Sequence, residues 1–358
     1  MGRPNGKLTP PHADAIVALG GETAAPYPQV FVSRVIPPPE SLEANRLQTA
    51  LTRRFLLPVL PELETLFLAM RAETDEEMAA NAFARRDKAY PYGYCLEITR
   101  DVVTNLRARN ARAHGSAARA LSAFLKHGGV GTMVWGVLRD RYFQNAIQLG
   151  SLYVDVANDS VDPLKPKVEI LPMVESGLEL VRDIPHFALI AERYWGVRSY
   201  ANTALPALAP LFPVIIVDPE QRVLLQSRTG YMMRLLASDG FQKSERWLSA
   251  APEPPLAVVQ GIRNNCPADI LDANPAATRE ASLEACRALR GRAASLDGAW
   301  IDRMGEMFER VPQIRVINLP TKSVAVHDMT RTNARSIVGV SAVRSSKIKV
   351  LGFEGLGM

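Results

Sequence analysis

Alternating apolar and polar residues between positions 130 and 157 predict three consecutive β-strands. The strands are expected at 130–138, 142–149 and 152–157, because a period of two places successive side chains on opposite faces of a sheet. Gly150-Ser151 suits a two-residue turn between the second and third strands. The sequence therefore predicts an antiparallel hairpin with a defined register.

The predicted hairpin has one apolar face and one polar face. With Leu149 opposite Leu152, the apolar face runs from Phe143 to Val156. The other face combines polar and small side chains, namely Gln144, Ala146, Gln148, Tyr153, Asp155 and Ala157. Such a face suits the wall of a binding or catalytic site. It equally suits a half-exposed sheet that water or another element covers.

Apolar residues at helical spacing predict helices on both sides of this sheet. Their expected bounds are 41–57, 61–71 with a continuation over 74–86, 94–112, 116–126, 186–195, 276–294 and 298–311. Short strands are expected at 30–35, 168–171, 214–217, 223–226, 315–319, 323–326 and 347–353. The strands between 168 and 226 are predicted to extend the central sheet.

These elements together predict an α+β protein. A central antiparallel sheet would pack on a helix that starts at Cys95, between helical N-terminal and C-terminal regions. Three domains are expected: a Pro-rich arm with helices at 1–88, an α+β core at 89–240, and a helix-rich region ending in short strands at 241–358.

Composition and charge narrow the classes of partner. The 358 residues are 47% hydrophobic and carry a net charge of +5, which fits a globular chain. No run of five or six like charges occurs, so no nucleic-acid partner is predicted. The uncharged segment 199–217 holds three prolines, which favours a loop and a buried strand over a membrane span.

The cysteines carry the candidate chemistry. Cys95, Cys266 and Cys286 are too scattered for a disulfide framework or a CxxC metal site, so we predict a reducing, cytoplasmic location, no metal and no cofactor. Cys95 follows Gly93 and begins a predicted helix, whose N-terminus favours a thiolate through its partial positive charge. A buried, inert thiol is the alternative.

The order of Cys95 at a helix start, then strands with polar residues at Gln144-Asn145 and at Asp155, resembles the transglutaminase-like branch of the papain-type fold. The resemblance covers about residues 90–160. It implies that Cys95 is the nucleophile and Asp155 the acid that orients the base. It also implies that Gln144-Asn145-Ala146 stands where the family has His-Ala.

This departure bears directly on activity. Neither glutamine nor asparagine accepts a proton at neutral pH, so neither Gln144 nor Asn145 is a general base. A histidine from elsewhere, His186 or His127, would have to complete the site. In an active protein, Gln144 would donate a hydrogen bond to an oxyanion. Substrate contacts are then expected from the neighbouring side chains Tyr94, Asn145, Gln148 and Tyr153.

Three functions stay open at this point. The first is a cysteine-dependent amide or acyl-group hydrolase or transferase, or an inactive relative of one. The second is a non-catalytic binding or interaction protein on the same scaffold. The third is an unrelated enzyme whose site has no recognisable motif. The expected partner is a small-molecule or peptide substrate, or another protein.

Overall fold

The computed structural model describes residues 42–82, 90–109, 115–225, 230–291 and 298–316, all of which belong to one compact unit, Met1–Leu319. The predicted arm at 1–40 and the predicted strands at 323–326 and 347–353 lie outside the described residues. The division into three predicted domains stays a prediction. Two antiparallel sheets with surrounding helices confirm the predicted α+β class.

The helices occur throughout the chain. In chain order they are α1 Arg46–Leu51, α2 Leu60–Ala82, α3 Cys95–Arg109, α4 Ser116–Lys126, α5 Met173–Ser176, α6 Ile184–Trp195, α7 Gly230–Ser238, α8 Gln242–Ala250, α9 Leu256–Asn265, α10 Ala268–Asp272, α11 Arg279–Gly291 and α12 Gly298–Glu309. The predicted break near Thr74 is wrong. Its hydroxyl donates to Asp101 Oδ2 at 2.5 Å instead of capping a new helix, so α2 is continuous.

The strands form two separate sheets. They are β1 Gly131–Leu138, β2 Tyr142–Leu149, β3 Leu152–Asp155, β4 Glu169–Pro172, β5 Leu178–Glu179, β6 Arg198–Ala201, β7 Val214–Val217, β8 Arg222–Leu225 and β9 Ile314–Arg315. The first sheet has the order β4-β3-β2-β1-β5 and the second β6-β7-β8-β9. The prediction that the strands near 214 and 223 extend the first sheet is therefore wrong. These strands pair instead with β6, which was not predicted, and with β9.

The predicted hairpin register is confirmed. Leu149 pairs with Leu152 and Ile147 with Val154, as the Gly150-Ser151 turn requires. The apolar face packs on the helical layer of α2, α3 and α4. The other face is not open. The sheet curls, and a smaller cluster that includes Ala146 buries that face as well.

Helix α6 packs on the first sheet through aromatic contacts at the start of β2. Phe143 stacks on Trp135 with ring centroids 5.1 Å apart, and it contacts Trp195 at 4.8 Å and Phe187 at 5.3 Å. Aromatic pairs at these distances stabilise a core beyond their buried area. The packing fixes α6 beside the β2 residues that follow Phe143, where the candidate site lies.

A buried arginine ties α2 to the segment that follows β3. The Arg71 side chain is fully buried and donates to both carboxylate oxygens of Asp159, at 2.7 and 3.0 Å. It also donates to Val156 O at 2.8 Å and to Asp75 Oδ1 at 2.7 Å. Because Tyr90 and Lys167 also contact Asp75, the cluster joins α2 to the loop that precedes α3.

Within the described residues, none of the helices combines the length and the apolar character that crossing a bilayer requires. Segment 199–217 instead contains β6, a loop with the three prolines, and β7.

Candidate functional site

Cys95 is the first residue of α3, and a tight turn leads into it. Gly93 has a φ of 71°, a left-handed conformation that glycine adopts without a steric penalty. Its N–H donates to Ser160 O at 2.9 Å, and Tyr94 N–H donates to Pro91 O at 3.1 Å. The segment after β3 therefore fixes the start of α3, which confirms the helix start predicted at this cysteine.

The Cys95 thiol lies against β2 and receives a hydrogen bond from Asn145 Nδ2 at 3.4 Å. The residue is partly exposed, although protein atoms surround its sulfur closely. Burial raises the pKa of this thiol to about 11, and the hydrogen bonds from Asn145 offset only part of that effect. The nearby charges of Glu97 and Asp155 raise it further. The sulfur is therefore protonated at neutral pH, despite its place at a helix N-terminus.

Gln144 and Asn145 lie on opposite faces of β2, because consecutive residues of a strand alternate. Asn145 faces α3, where the Thr99 hydroxyl donates to its carbonyl oxygen at 3.3 Å. Gln144 points into the curl of the sheet, and its Nε2 donates to Asp155 Oδ2 at 2.7 Å. Of the two residues at the predicted histidine position, Asn145 is the one that contacts the thiol.

Asp155 collects three donors inside the curled sheet. Gln144 Nε2 and the Tyr153 hydroxyl, at 2.8 Å, donate to Oδ2, and Ala157 N–H donates to Oδ1 at 2.8 Å. The side chains of Gln144, Tyr153 and Asp155 are fully buried. The predicted polar face is thus an interior network and not an accessible wall.

Burial sets the protonation of this network. It raises the pKa of Asp155 to about 6, although the three hydrogen bonds favour the carboxylate. It also raises the pKa of Tyr153, to which the negative charge of Asp155 contributes. Gln144 Oε1 has no hydrogen-bond partner among the described residues. Because Gln144 already donates to Asp155 and Ala157 O, its amide is committed to the network and is turned away from Cys95.

The histidine proposed to complete the site occupies another environment. His186 lies in the first turn of α6, where its Nδ1 accepts from Arg182 N–H at 3.2 Å and its Nε2 is 3.7 Å from Asp140 Oδ1. Burial lowers the pKa of His186, and the charge of Arg182 lowers it further. Within the described residues, no hydrogen bond or ion pair joins His186 to Cys95 or Asp155.

The other histidine candidate and two predicted substrate contacts serve local structure. His127, at the end of α4, places Nδ1 2.8 Å from Ala123 O. Gln148 Nε2 donates to Leu42 O at 3.1 Å, which ties the N-terminal segment to β2. Tyr94 is buried, and its ring packs edge-on against Tyr90 at 5.4 Å.

Tyr194, near the end of α6, was missed by the sequence analysis. Burial raises its pKa, and the neighbouring Cys95 and Tyr142 contribute to the increase. Its ring centroid lies 5.7 Å from that of Tyr142, whose hydroxyl receives a hydrogen bond from Lys165 Nζ at 2.5 Å. No sequence signal could have placed Tyr194 here, because the docking of α6 depends on tertiary packing.

The residues that the structure describes contain no group of three or more His, Cys, Asp or Glu side chains arranged to hold a metal ion. No family model, curated protein or solved structure matches the chain. The transglutaminase-like resemblance therefore stays a prediction.

Proposed function

We propose that this molecule is a non-catalytic binding protein on a transglutaminase-like scaffold, in which Cys95 is an inert thiol. The observation that carries the proposal is the environment of that sulfur: closely surrounded by protein atoms, with a pKa raised to about 11 and an asparagine amide as its hydrogen-bond partner. A cysteine nucleophile acts as the thiolate, and an activated one has a pKa below the ordinary value. Cys95 departs from that requirement in the opposite direction.

The cluster around the sulfur supports the same proposal. An imidazole would have to take the thiol proton, and Asn145 occupies that place without the ability to accept it. The acid that would orient such a base, Asp155, is instead saturated by Gln144, Tyr153 and Ala157 N–H. These are the contacts of a polar core that stabilises a scaffold.

Alkylation of Cys95 by iodoacetamide is expected to be about a hundredfold slower than alkylation of free cysteine at pH 8. A rise of the pKa from 9.0 to about 11 reduces the thiolate fraction by about that factor. Peptide mapping by mass spectrometry after timed labelling gives the rate at each cysteine. Cys266, which is partly exposed, is the internal comparison in the same sample. Labelling of Cys95 at pH 6 faster than free cysteine would contradict the proposal.

A cysteine-dependent acyl or amide enzyme is the second candidate, and one observation favours it. Asn145 Nδ2 already donates towards the sulfur at a helix start, an arrangement that would stabilise a thiolate once the site opened.

The two candidates differ in their reaction with p-nitrophenyl acetate. We expect the wild type and Cys95→Ala to release nitrophenol at equal rates. A burst present only with Cys95 would favour the enzyme.

A further inference from the structure

We infer that a cavity between α6 and α8 binds a small zwitterion with an apolar side chain, the chemistry of an apolar α-amino acid. The inference rests on the proposed function, since it names the ligand class of a protein that binds without converting. The cavity is a cleft open to solvent on one side, with a volume of about 530 Å³, and it is formed by the start of α6, one face of α8 and the chain that follows α8. This volume is typical of small-molecule sites.

One wall of the cavity is cationic. Lys243 and Arg246 lie one turn apart on α8 and share a single carboxylate, Asp239. Lys243 Nζ is 3.0 Å from Asp239 Oδ2, whereas Arg246 Nη2 is 3.9 Å away on a side chain that is 70% exposed. Asp239 is therefore occupied mainly by the lysine. The guanidinium of Arg246 is free to turn towards a ligand carboxylate, which it suits by its paired donors.

The opposite charge comes from α6. Asp183 lines the same cavity and caps α6 by accepting from His186 N–H at 2.8 Å through Oδ1. This bond uses one carboxylate oxygen and leaves Oδ2 for a cationic group. Asp239 does not line the cavity but pairs with Lys243, so the charges left for a ligand are the guanidinium of Arg246 and the carboxylate of Asp183. A balanced set favours a ligand that carries both signs over a simple anion.

The remaining walls are apolar. Trp247 and Ala250 continue the α8 face, and Pro185 and Pro252 line the cavity from α6 and from the chain after α8. Trp247 is buried, with 9% of its surface exposed. Its indole N–H has no acceptor among the described residues. An aromatic or branched aliphatic side chain would fill this part of the cavity and remove apolar surface from water.

L-Phenylalanine is the probe that tests the inference, by isothermal titration calorimetry with the full chain. We expect saturable binding. 3-Phenylpropanoate, which lacks the ammonium, and phenethylamine, which lacks the carboxylate, should each bind at least about tenfold more weakly, because each loses one charge-assisted contact. Equal binding of 3-phenylpropanoate and L-phenylalanine would overturn the zwitterion, and so would the absence of any heat with L-phenylalanine at millimolar concentration.

Two variants test whether L-phenylalanine binds in this cavity. Arg246→Gln and Asp183→Asn are each expected to weaken L-phenylalanine binding about tenfold or more. Asparagine is as good an N-cap as aspartate, so Asp183→Asn should leave α6 folded, as circular dichroism can verify. Arg193→Gln, at an exposed position of the same helix, is the matched control and should bind like the wild type. Unchanged affinity in both cavity variants would overturn the site, whereas rapid alkylation of Cys95 would overturn the proposed function.

Discussion

Replacing Arg71 by methionine is expected to lower the free energy of unfolding by about 3–5 kcal/mol. The guanidinium is fully buried, and its removal leaves Asp159 as an enclosed carboxylate without a cation. It also leaves Val156 O without its donor and removes one of the partners of Asp75. Methionine fills most of the volume, so the loss reflects the uncompensated charge more than a cavity. Urea denaturation followed by circular dichroism measures it.

A double variant and a surface control separate charge from packing. The double variant Arg71→Met/Asp159→Leu also removes the unpaired carboxylate of Asp159. It should recover at least half of the lost stability, because apolar pairs often replace buried ion pairs at little cost. Arg182→Met removes an arginine from an exposed pair with Glu179 and should cost less than about 1 kcal/mol. A single Arg71 variant that is no less stable than Arg182→Met would contradict the prediction.

The Arg71 cluster supports the candidate site because it holds the turn that leads into Cys95. Asp159 and Ser160 follow β3, and Ser160 O accepts the Gly93 N–H that leads into α3. Burial by itself lowers the pKa of Arg71, but the hydrogen bonds and charge of Asp159 outweigh it and raise the pKa. The arginine is therefore charged at every accessible pH. It fixes the turn that positions Cys95.

Features of the fold that local rules decide could be predicted from the sequence. The hairpin register follows from the Gly150-Ser151 turn and the period of two, and the structure pairs Leu149 with Leu152 accordingly. The start of α3 at Cys95 was likewise predictable, since Gly93 permits the turn before it. The glycines at 128 and 129 marked the end of α4, and its predicted bounds match the observed Ser116–Lys126. Each of these features depends on residues close together in the chain.

Features that depend on contacts between distant segments could not be predicted from the sequence. Strand periodicity identified β7 and β8 but not their sheet, because pairing with β6 and β9 involves segments far apart in sequence. The polar face with Gln144 and Asp155 could not be recognised as interior, since the curl that buries it is a property of the whole sheet. The position of His186 depends on how α6 docks against the sheet, and the local sequence holds no signal for that docking.

The buried carboxylate of Asp155 predicts an unusual pH dependence of stability. Its pKa is raised by burial from 3.8 to about 6, which corresponds to a difference of about 3 kcal/mol between the protonation states. The folded protein therefore holds this proton more tightly than the unfolded chain does. The stabilisation is complete below pH 3.8 and is lost as the pH rises through 6.

Asp155→Asn isolates this contribution because asparagine does not titrate. We expect the free energy of unfolding of the variant, relative to wild type, to rise by about 3 kcal/mol between pH 3 and pH 7.5. The amide faces donors from Gln144 and Tyr153, which adds a cost that is the same at every pH and leaves the slope unaffected. Urea denaturation across this range measures both curves, with Asp272→Asn as an exposed control. If the Asp155→Asn and wild-type curves run parallel, the carboxylate titrates alike in the folded and unfolded states and burial does not govern its protonation.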